Sequence, residues 1–342
     1  MNMLQPSYTL TLGNQQWTNQ ALSIDLELGA APLVDRLEIR FPFAAPVSAG
    51  TGDKVSLNLN NGEKSADVFS GTVASIRRTL DQIRVTAINA GGLLAQYRPA
   101  ATYESVTAGT VIRNLCGDAN VDVAAIEDGV SLAFFVADGS RTAWEHIARV
   151  CGWSGSIARV NSDGEVEAPV IDATTPDLAL RYGRELLAIG NTEFARPVES
   201  FTVVGESGAD DAGSDDAFRL STDFFKGNAP DAPSLTSRWR AEPALRTAEG
   251  AARAGAATQR LYKSGGQRGA FEAFLQPELR PGTIVQIQDL PSGLPGGPLW
   301  LHSIHHRLRA DGARTAARFY QGGDSFNPAG LLGALASLVG GL

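Results

Sequence analysis

An alternation of apolar and polar residues with a period of two dominates the first hundred residues and most constrains how the chain can fold. In "LSIDLEL", Leu22, Ile24, Leu26 and Leu28 alternate with polar or charged residues. Similar runs recur in "RLEIRF", "KVSLNLN" and "QIRVTAI", separated by segments rich in turn-forming residues. This period is typical of strands that bury one face. We therefore predict a small antiparallel β-barrel in residues 1–100.

From about Tyr103 the spacing of apolar residues changes to that of a helix. A first helix is predicted in "SVTAGTVIRNLCGDANV", with Gly117 at its C-terminal end. Its apolar face consists of Val111, Ile112, Leu115 and Cys116.

A second helix is predicted in "SRTAWEHIARVCGW", with Gly152 at its end. Thr142 and Glu145 have the spacing of a capping box. His146 is expected on the polar side of this helix, as a surface residue. The apolar stripe consists of Trp144, Ile147, Ala148 and Cys151, with Trp144 as a packing anchor.

The patterns divide the chain into four segments. Residues 1–100 form the first predicted barrel, and residues 101–178 form an α+β insert. Residues 179–325 return to strands, with one alanine-rich helix, and form a second barrel. Residues 326–342 are an apolar C-terminal tail. The predicted fold class is mainly β with an α+β insert, consisting of two antiparallel β-barrels and a small α+β domain.

Charge and cysteine content restrict the class of protein. The formal charge is −8 and the pI is near 5.1. Because clustered Lys and Arg supply much of the affinity for phosphates, no specific nucleic-acid binding is expected. Cys116 and Cys151 are too few for a disulfide framework and are predicted to be buried free thiols. No signal peptide and no run of about 18 apolar residues is evident, so we expect folding in the cytoplasm without stable membrane insertion.

The stretch "LHSIHHRL" contains three of the four histidines and is the strongest candidate for a chemical site. A turn-forming "ADG" follows it, so we predict a hairpin strand. On a strand, His302 and His306 share a face about 13 Å apart, while His305 faces the other way. One zinc ion, with bonds of about 2 Å, cannot bind both His302 and His306.

Signatures of catalysis are absent. His146 beside Glu145 could serve as a general base, but no nucleophile and orienting group accompany it. "GWSGS" and "GESGA" both miss the pattern of a nucleophile elbow, and no P-loop or dinucleotide fingerprint is present. We predict no catalytic residue, no cofactor and no metal ion.

The C-terminal tail suggests a contact surface. The twelve residues from Leu331 to Leu342 carry no charge and are too few to span a bilayer. As an amphipathic helix, the tail would bury its stripe against this chain, a second copy or another protein. The predicted partner-binding residues are Leu331, Leu332, Leu335 and Leu338.

Six segments follow one another in a recognisable order: "GDKVSLNL", "VFSGTV", "YESVTAGTVIRNLC", "RTAWEHIARVCGW", "LRPGTIVQIQDLP" and "IHHRLRADGARTAARF". Together they resemble the late control protein D family, the baseplate hub proteins of phage tails. That family is related to the N-terminal portion of type VI secretion spike proteins. The segments span most of the chain.

The resemblance implies a non-enzymatic structural protein whose two barrels resemble tail-tube subunits. A homotrimer would present six barrels and so join a hexameric tail tube to a trimeric central spike. Its implied partners are the tail tube protein, the spike protein and other baseplate proteins. A tape-measure protein that contacts the C-terminal tail is a further hypothesis. The implied location is the tail baseplate of the virion, after assembly in the bacterial host cytoplasm.

Two other functions stay open at this point, a tail-tip peptidoglycan hydrolase and a receptor- or glycan-binding tail protein. The resemblance also leaves open whether the tail contracts, and whether the assembly is a phage, a bacteriocin or a secretion machine.

Overall fold

The computed structural model describes residues 5–171, 175–194, 200–205, 226–227, 237–264 and 267–321. The chain begins with seven strands. They are β1 (Ser7–Leu12), β2 (Gln15–Trp17), β3 (Ser23–Gly29), β4 (Arg36–Pro42), β5 (Lys54–Asn60), β6 (Ser65–Arg78) and β7 (Gln82–Ile88).

Helices and short strands alternate in the next part of the chain. They are α1 (Ala90–Gln96), β8 (Ala101–Thr107), α2 (Ala108–Asp118), β9 (Val123–Ile126), β10 (Ser131–Ala137), α3 (Ala143–Ser154), β11 (Arg159–Val160) and β12 (Val166–Ala168). The two helices predicted from sequence are α2 and α3.

Strands then return, with one long helix among them. They are β13 (Leu178–Arg181), β14 (Leu186–Phe194), β15 (Ser200–Gly205), β16 (Lys226–Gly227), β17 (Ser237–Glu242), α4 (Ala248–Ser264), β18 (Gln267–Phe274), β19 (Ile284–Gln288), β20 (Leu299–Arg309) and β21 (Gly312–Gln321). The chain is mainly β with a small α+β part, which confirms the predicted fold class.

Strands from both ends of the sequence belong to one 13-stranded sheet. Its main path runs β14-β18-β21-β20-β3-β4-β7-β6-β5-β1-β2. The sheet consists of two strand groups, one with β1–β7 and the other with β13, β14 and β18–β21. The antiparallel pair β3–β20, in which Leu26 lies opposite His306, links the two strand groups. The strands of the two predicted barrels are therefore hydrogen-bonded to each other, a connection that the sequence pattern did not indicate.

The alternating pattern places the core on one side of this sheet. Ile24 and Leu26 of β3, and Ile39 and Phe41 of β4, are at most 1% exposed. Leu22 is an exception, because it precedes β3 and is half exposed. Burial of such side chains is the main favourable contribution to folding, at about 1.5–3 kcal/mol each.

The α+β part has a second core, built around α2 and α3. Side chains from much later in the sequence also pack into this core. They are Val203 of β15, Ala254 of α4 and Leu245, which precedes α4. The capping box of Thr142 and Glu145 at the start of α3 is confirmed. Both predicted helix ends are wrong by one or two residues, because α2 continues to Asp118 and α3 to Ser154, where Gly155 takes the left-handed conformation with φ of 74°.

The hairpin predicted around "ADG" is confirmed, since β20 and β21 pair from Arg309 opposite Gly312 onward. Pro281 and Gly282, whose φ is 91°, turn the chain into β19. Among the described residues, no helix has both the length and the apolar character needed to cross a bilayer.

Candidate interaction face

The outward side of the main sheet carries charged side chains at the positions that alternate with the core. In β4, for example, the buried Ile39 lies between Glu38 and Arg40, which point outward. We define the charged face as the outward residues Asp25, Glu27, Arg36, Glu38, Arg40, Arg84, Glu272, His305, Arg307, Arg309, Arg314 and Arg318. Its arginines outnumber its carboxylates by seven to four, so this face is locally basic in a chain of net charge −8.

Glu38 is the most heavily shared carboxylate of the charged face. Its side chain is 14% exposed and lies 2.8 Å from Arg40 Nη2, 3.1 Å from Arg36 Nη2 and 3.5 Å from Arg84 Nε. The register explains this arrangement, because Arg40 is directly opposite Arg84 on β7 and two residues from Glu38. One carboxylate thus serves three guanidinium groups.

Glu272 serves two guanidinium groups, and Asp25 serves one. Glu272 Oε1 lies 3.0 Å from Arg307 Nη2 and 3.4 Å from Arg314 Nη1, and Asp25 Oδ1 lies 3.1 Å from Arg309 Nη2. These pairs join β18 to β20 and β21, and β3 to β20. A network of shared, partly covered ion pairs is held more firmly than isolated surface pairs, whose median is about 0–1 kcal/mol.

Depressions interrupt the charged face. One, of about 390 Å³, lies beside Leu33, Ile304 and Arg318, and Leu33 at its wall is 54% exposed. Another, of about 190 Å³, lies between β20 and β4 and is lined only by charged residues and His305. The face is therefore a surface with recesses for single side chains.

The prediction that His302 and His306 share a strand face is wrong. A β-bulge between Leu301 and Ser303 shifts the alternation by one residue. His302 consequently packs outside the core against Tyr320, with ring centroids 4.9 Å apart, while His306 is fully buried. The three histidines do not converge on one point.

Each of the three histidines has a lowered pKa. Burial lowers the pKa of His306 to about 3, and the Arg280 and His305 charges add to that shift. His306 Nδ1 lies 2.9 Å from Thr315 Oγ1, which also accepts the backbone N–H of Gln276 at 2.9 Å. Burial likewise lowers the pKa of His302 and of His305. The ordinary value near 6.5 that sequence suggests does not apply to them.

His146 is also misplaced by the sequence pattern. It is fully buried, not a surface residue, because β10 covers that side of α3. Its Nε2 lies 3.0 Å from the Asp138 carbonyl oxygen, and its ring meets Phe135 edge-on with centroids 5.8 Å apart. This is a packed core histidine.

The loop between β3 and β4 joins the main sheet to the α+β part. Trp144 Nε1 donates to the Leu33 carbonyl oxygen at 2.8 Å, and the backbone N–H of Ala31 donates to the Ala158 carbonyl oxygen at 2.8 Å. Trp144 is 1% exposed, which confirms its role as a packing anchor. Several separate contacts therefore hold this loop in place.

A buried carboxylate lies at the end of the same loop. Asp35 Oδ1 accepts the backbone N–H of Gly29 at 2.7 Å. Burial raises the pKa of Asp35 to about 7, although the Gly29 hydrogen bond and the charge of Arg280 oppose the shift. Arg280 itself donates to the carbonyl oxygens of Pro277 and Asp67, so it links the loop between β18 and β19 to β6.

The remaining sequence predictions concern the C-terminal tail, the two cysteines and metal binding. Leu331, Leu332, Leu335 and Leu338 lie outside the described residues. Cys116 and Cys151 are confirmed as buried free thiols, and burial raises the pKa of each to about 12. Within the described part of the chain, no group of three or more His, Cys, Asp or Glu residues is arranged to hold a metal ion.

Sequence reasoning missed the charged face itself. Its signal was present in "RLEIRF" and "HHRLR", where the polar positions of the alternation are nearly all charged. What the pattern could not supply was the strand order, which brings the arginines of β4, β7 and β20 together on one sheet face.

Solved structures with the same fold include phage tail proteins. The 43 kDa tail protein of prophage MuSo2 from Shewanella oneidensis matches with a TM-score of 0.67 and 14% identity, covering 93% of this chain and 98% of that protein. The tail protein from Neisseria meningitidis MC58 matches with a TM-score of 0.70 and 12% identity, covering 93% and 97%.

A third match is the E. coli c3393 protein, a component of the type VI secretion system with structural similarity to bacteriophage T4 tail proteins. Its TM-score is 0.57 at 11% identity, covering 92% of this chain and 77% of that protein. No protein-family model and no curated protein matches the sequence. The resemblance to phage tail proteins is thus confirmed at the level of the fold.

Proposed function

We propose that this chain is a structural protein of a phage tail or of a tail-derived injection machine, and that it serves there as the baseplate hub between the tail tube and the central spike. The observation that carries the proposal is the end-to-end correspondence of fold. The alignment covers 93% of this chain and 97–98% of two tail proteins, so the likeness extends through both strand groups and the α+β part.

The sheet topology supports an adaptor between unequal symmetries. Two strand groups of one chain are joined by β3 and β20 into a single sheet. A closed trimer of such a chain would present six strand groups to a six-fold tube while keeping three-fold symmetry toward a spike. The role requires extensive protein–protein interfaces, of about 1,200–2,000 Å² or more for a stable contact.

The test is reconstitution with purified partners. The chain is mixed separately with the tail tube protein and with the spike protein encoded beside it, and complexes are measured by light scattering and imaged by electron microscopy. We expect a trimeric mass and particles in which three copies contact both partners. An unrelated protein of similar charge and size serves as the control.

A strictly monomeric chain that binds neither the tube protein nor the spike protein would refute the hub role. Clearing of peptidoglycan suspensions would instead support the hydrolase alternative, if one carboxylate substitution abolished it. Binding to a glycan array would support the receptor-binding alternative.

A further inference from the structure

Three arginines of the charged face align across neighbouring strands with a fourth, Arg77 of the adjoining strand β6. The register places Arg309 of β20 opposite Ser23 of β3, and Ser23 opposite Arg40 of β4. It also places Arg84 of β7 opposite both Arg40 and Arg77 of β6. Residues directly opposite one another point to the same face, and strands lie about 4.8 Å apart, so the line is about 19 Å long. We call Arg309, Arg40, Arg84 and Arg77 the arginine row.

The counter-ions of the arginine row are too few. Arg40 and Arg84 share the single carboxylate of Glu38 with a third arginine. Arg77 forms no ion pair with any residue that the structure describes. Like charges directly opposite on paired strands destabilise a sheet. The fold alone would therefore be better served by a neutral side chain at Arg77.

A recess adjoins the row. The depression of about 190 Å³ lies between Arg309 and Arg40, and its other walls include Arg36 and His305. The short side chain of Ser23 separates the two arginines in the row. A carboxylate entering this recess would meet guanidinium groups from two strands, and guanidinium groups donate charge-assisted hydrogen bonds to carboxylates.

We propose that the arginine row binds an acidic polypeptide segment of a partner protein. Discrete carboxylates fit this surface better than a continuous phosphate backbone, because Asp25 and Glu38 lie beside the row and the whole chain carries −8. Carboxylates three or four residues apart on a helix are about 5–6 Å apart, close to the spacing of the strands. The inference needs only the charge pattern of the sheet and does not depend on the hub role.

The test compares two double variants that remove the same charge. Arg77→Gln/Arg84→Gln changes the row. Arg113→Gln/Arg184→Gln changes exposed arginines elsewhere, each of which has one acidic partner among the described residues. Binding of a fluorescein-labelled oligoglutamate peptide to the full chain is measured by anisotropy at about 0.15 M salt. We expect the row variant to bind about tenfold more weakly than the wild type and the control variant to bind as the wild type does.

A stability measurement keeps the result interpretable. The row variant should melt close to the wild-type temperature, because removing the repulsion between Arg77 and Arg84 offsets the loss of the Arg84–Glu38 ion pair. Absence of peptide binding to the wild type, or equal weakening in both variants, would overturn the proposal. If the wild type binds a DNA duplex more tightly than the peptide, and only the row variant loses that binding, the row is assigned to nucleic acid instead. If the wild type self-associates and only the row variant does not, the row is assigned to a contact with a second copy of the chain. Either outcome overturns the proposal of an acidic partner segment.

Discussion

Asn89 Nδ2 donates a 2.6 Å hydrogen bond to Asp35 Oδ2 in the protein interior, although 54 residues separate the two in sequence. Asp35 ends the loop after β3, and Asn89 is the N-cap of α1, where its own Oδ1 accepts the Gly91 backbone N–H. The pair therefore ties the main sheet to the first helix of the α+β part. Both side chains are at most 5% exposed, so water cannot replace either partner.

Asp35 should make stability depend on pH in a distinctive direction. Because burial raises its pKa to about 7, the folded protein retains a proton that the unfolded chain releases above about pH 4. The contribution of Asp35 to the free energy of unfolding is thus fully present below about pH 4 and is lost as the pH rises to about 7. We expect the difference in that free energy between wild type and Asp35→Asn to move against the wild type by up to about 4 kcal/mol over this range. Urea unfolding at successive pH values measures it, and a constant difference would contradict the assignment.

His306 should show the opposite trend. Its folded pKa of about 3 is below the unfolded value, so the unfolded chain takes up a proton first as the pH falls. The stabilising contribution is present above about pH 6.5 and is lost between there and about pH 3. Relative to His306→Gln, the wild type should lose about 2 kcal/mol of unfolding free energy between pH 7 and pH 5. A difference between the two proteins that does not change with pH would show that His306 is not held neutral.

Local patterns in the sequence predicted those parts of the fold whose causes are local. Alternation predicted the strands, the turn residues predicted the β20–β21 hairpin, and the spacing of Thr142 and Glu145 predicted the start of α3. The capping box needs only neighbouring residues, and so does the hairpin turn.

The failures share a different cause. The bulge between Leu301 and Ser303 inserts one residue, and no composition signal marks it. The side chains before and after the bulge therefore do not follow one continuous alternation, as the sequence pattern had assumed. His146 is buried because β10 lies over it, a contact that the pattern of α3 alone does not contain. The β3–β20 pairing that assembles the charged face joins residues as distant as Asp25 and Arg309, 284 positions apart.

Trp144 should contribute strongly to stability where the loop between β3 and β4 joins the main sheet to the α+β part. Trp144→Phe removes the 2.8 Å hydrogen bond to the Leu33 carbonyl oxygen and leaves a gap beside α1. An unpaired carbonyl group and a small cavity together should lower the free energy of unfolding by about 2–4 kcal/mol. Chemical denaturation provides the measurement. Trp17→Phe is a suitable control for the loss of indole volume, because the Trp17 Nε1 has no hydrogen-bond partner among the described residues. An equal loss in both variants would mean that volume, not the Leu33 contact, matters.

Glu38 should determine how the charged face responds to salt. Glu38→Gln leaves the guanidinium groups of Arg36, Arg40 and Arg84 facing one another without their common carboxylate. Because the Glu38 side chain is only 14% exposed, this loss should lower the free energy of unfolding by about 1–3 kcal/mol at low salt. Added salt screens the remaining repulsion, so the variant should recover part of that loss at about 1 M salt, where the Debye length is about 3 Å. Glu63→Gln, at an exposed turn, removes the same charge and should show neither the loss nor the recovery. Melting curves of the three proteins at low and high salt decide the matter. If salt stabilises the Glu38 and Glu63 variants equally, the shared carboxylate does not hold the arginines of the face together.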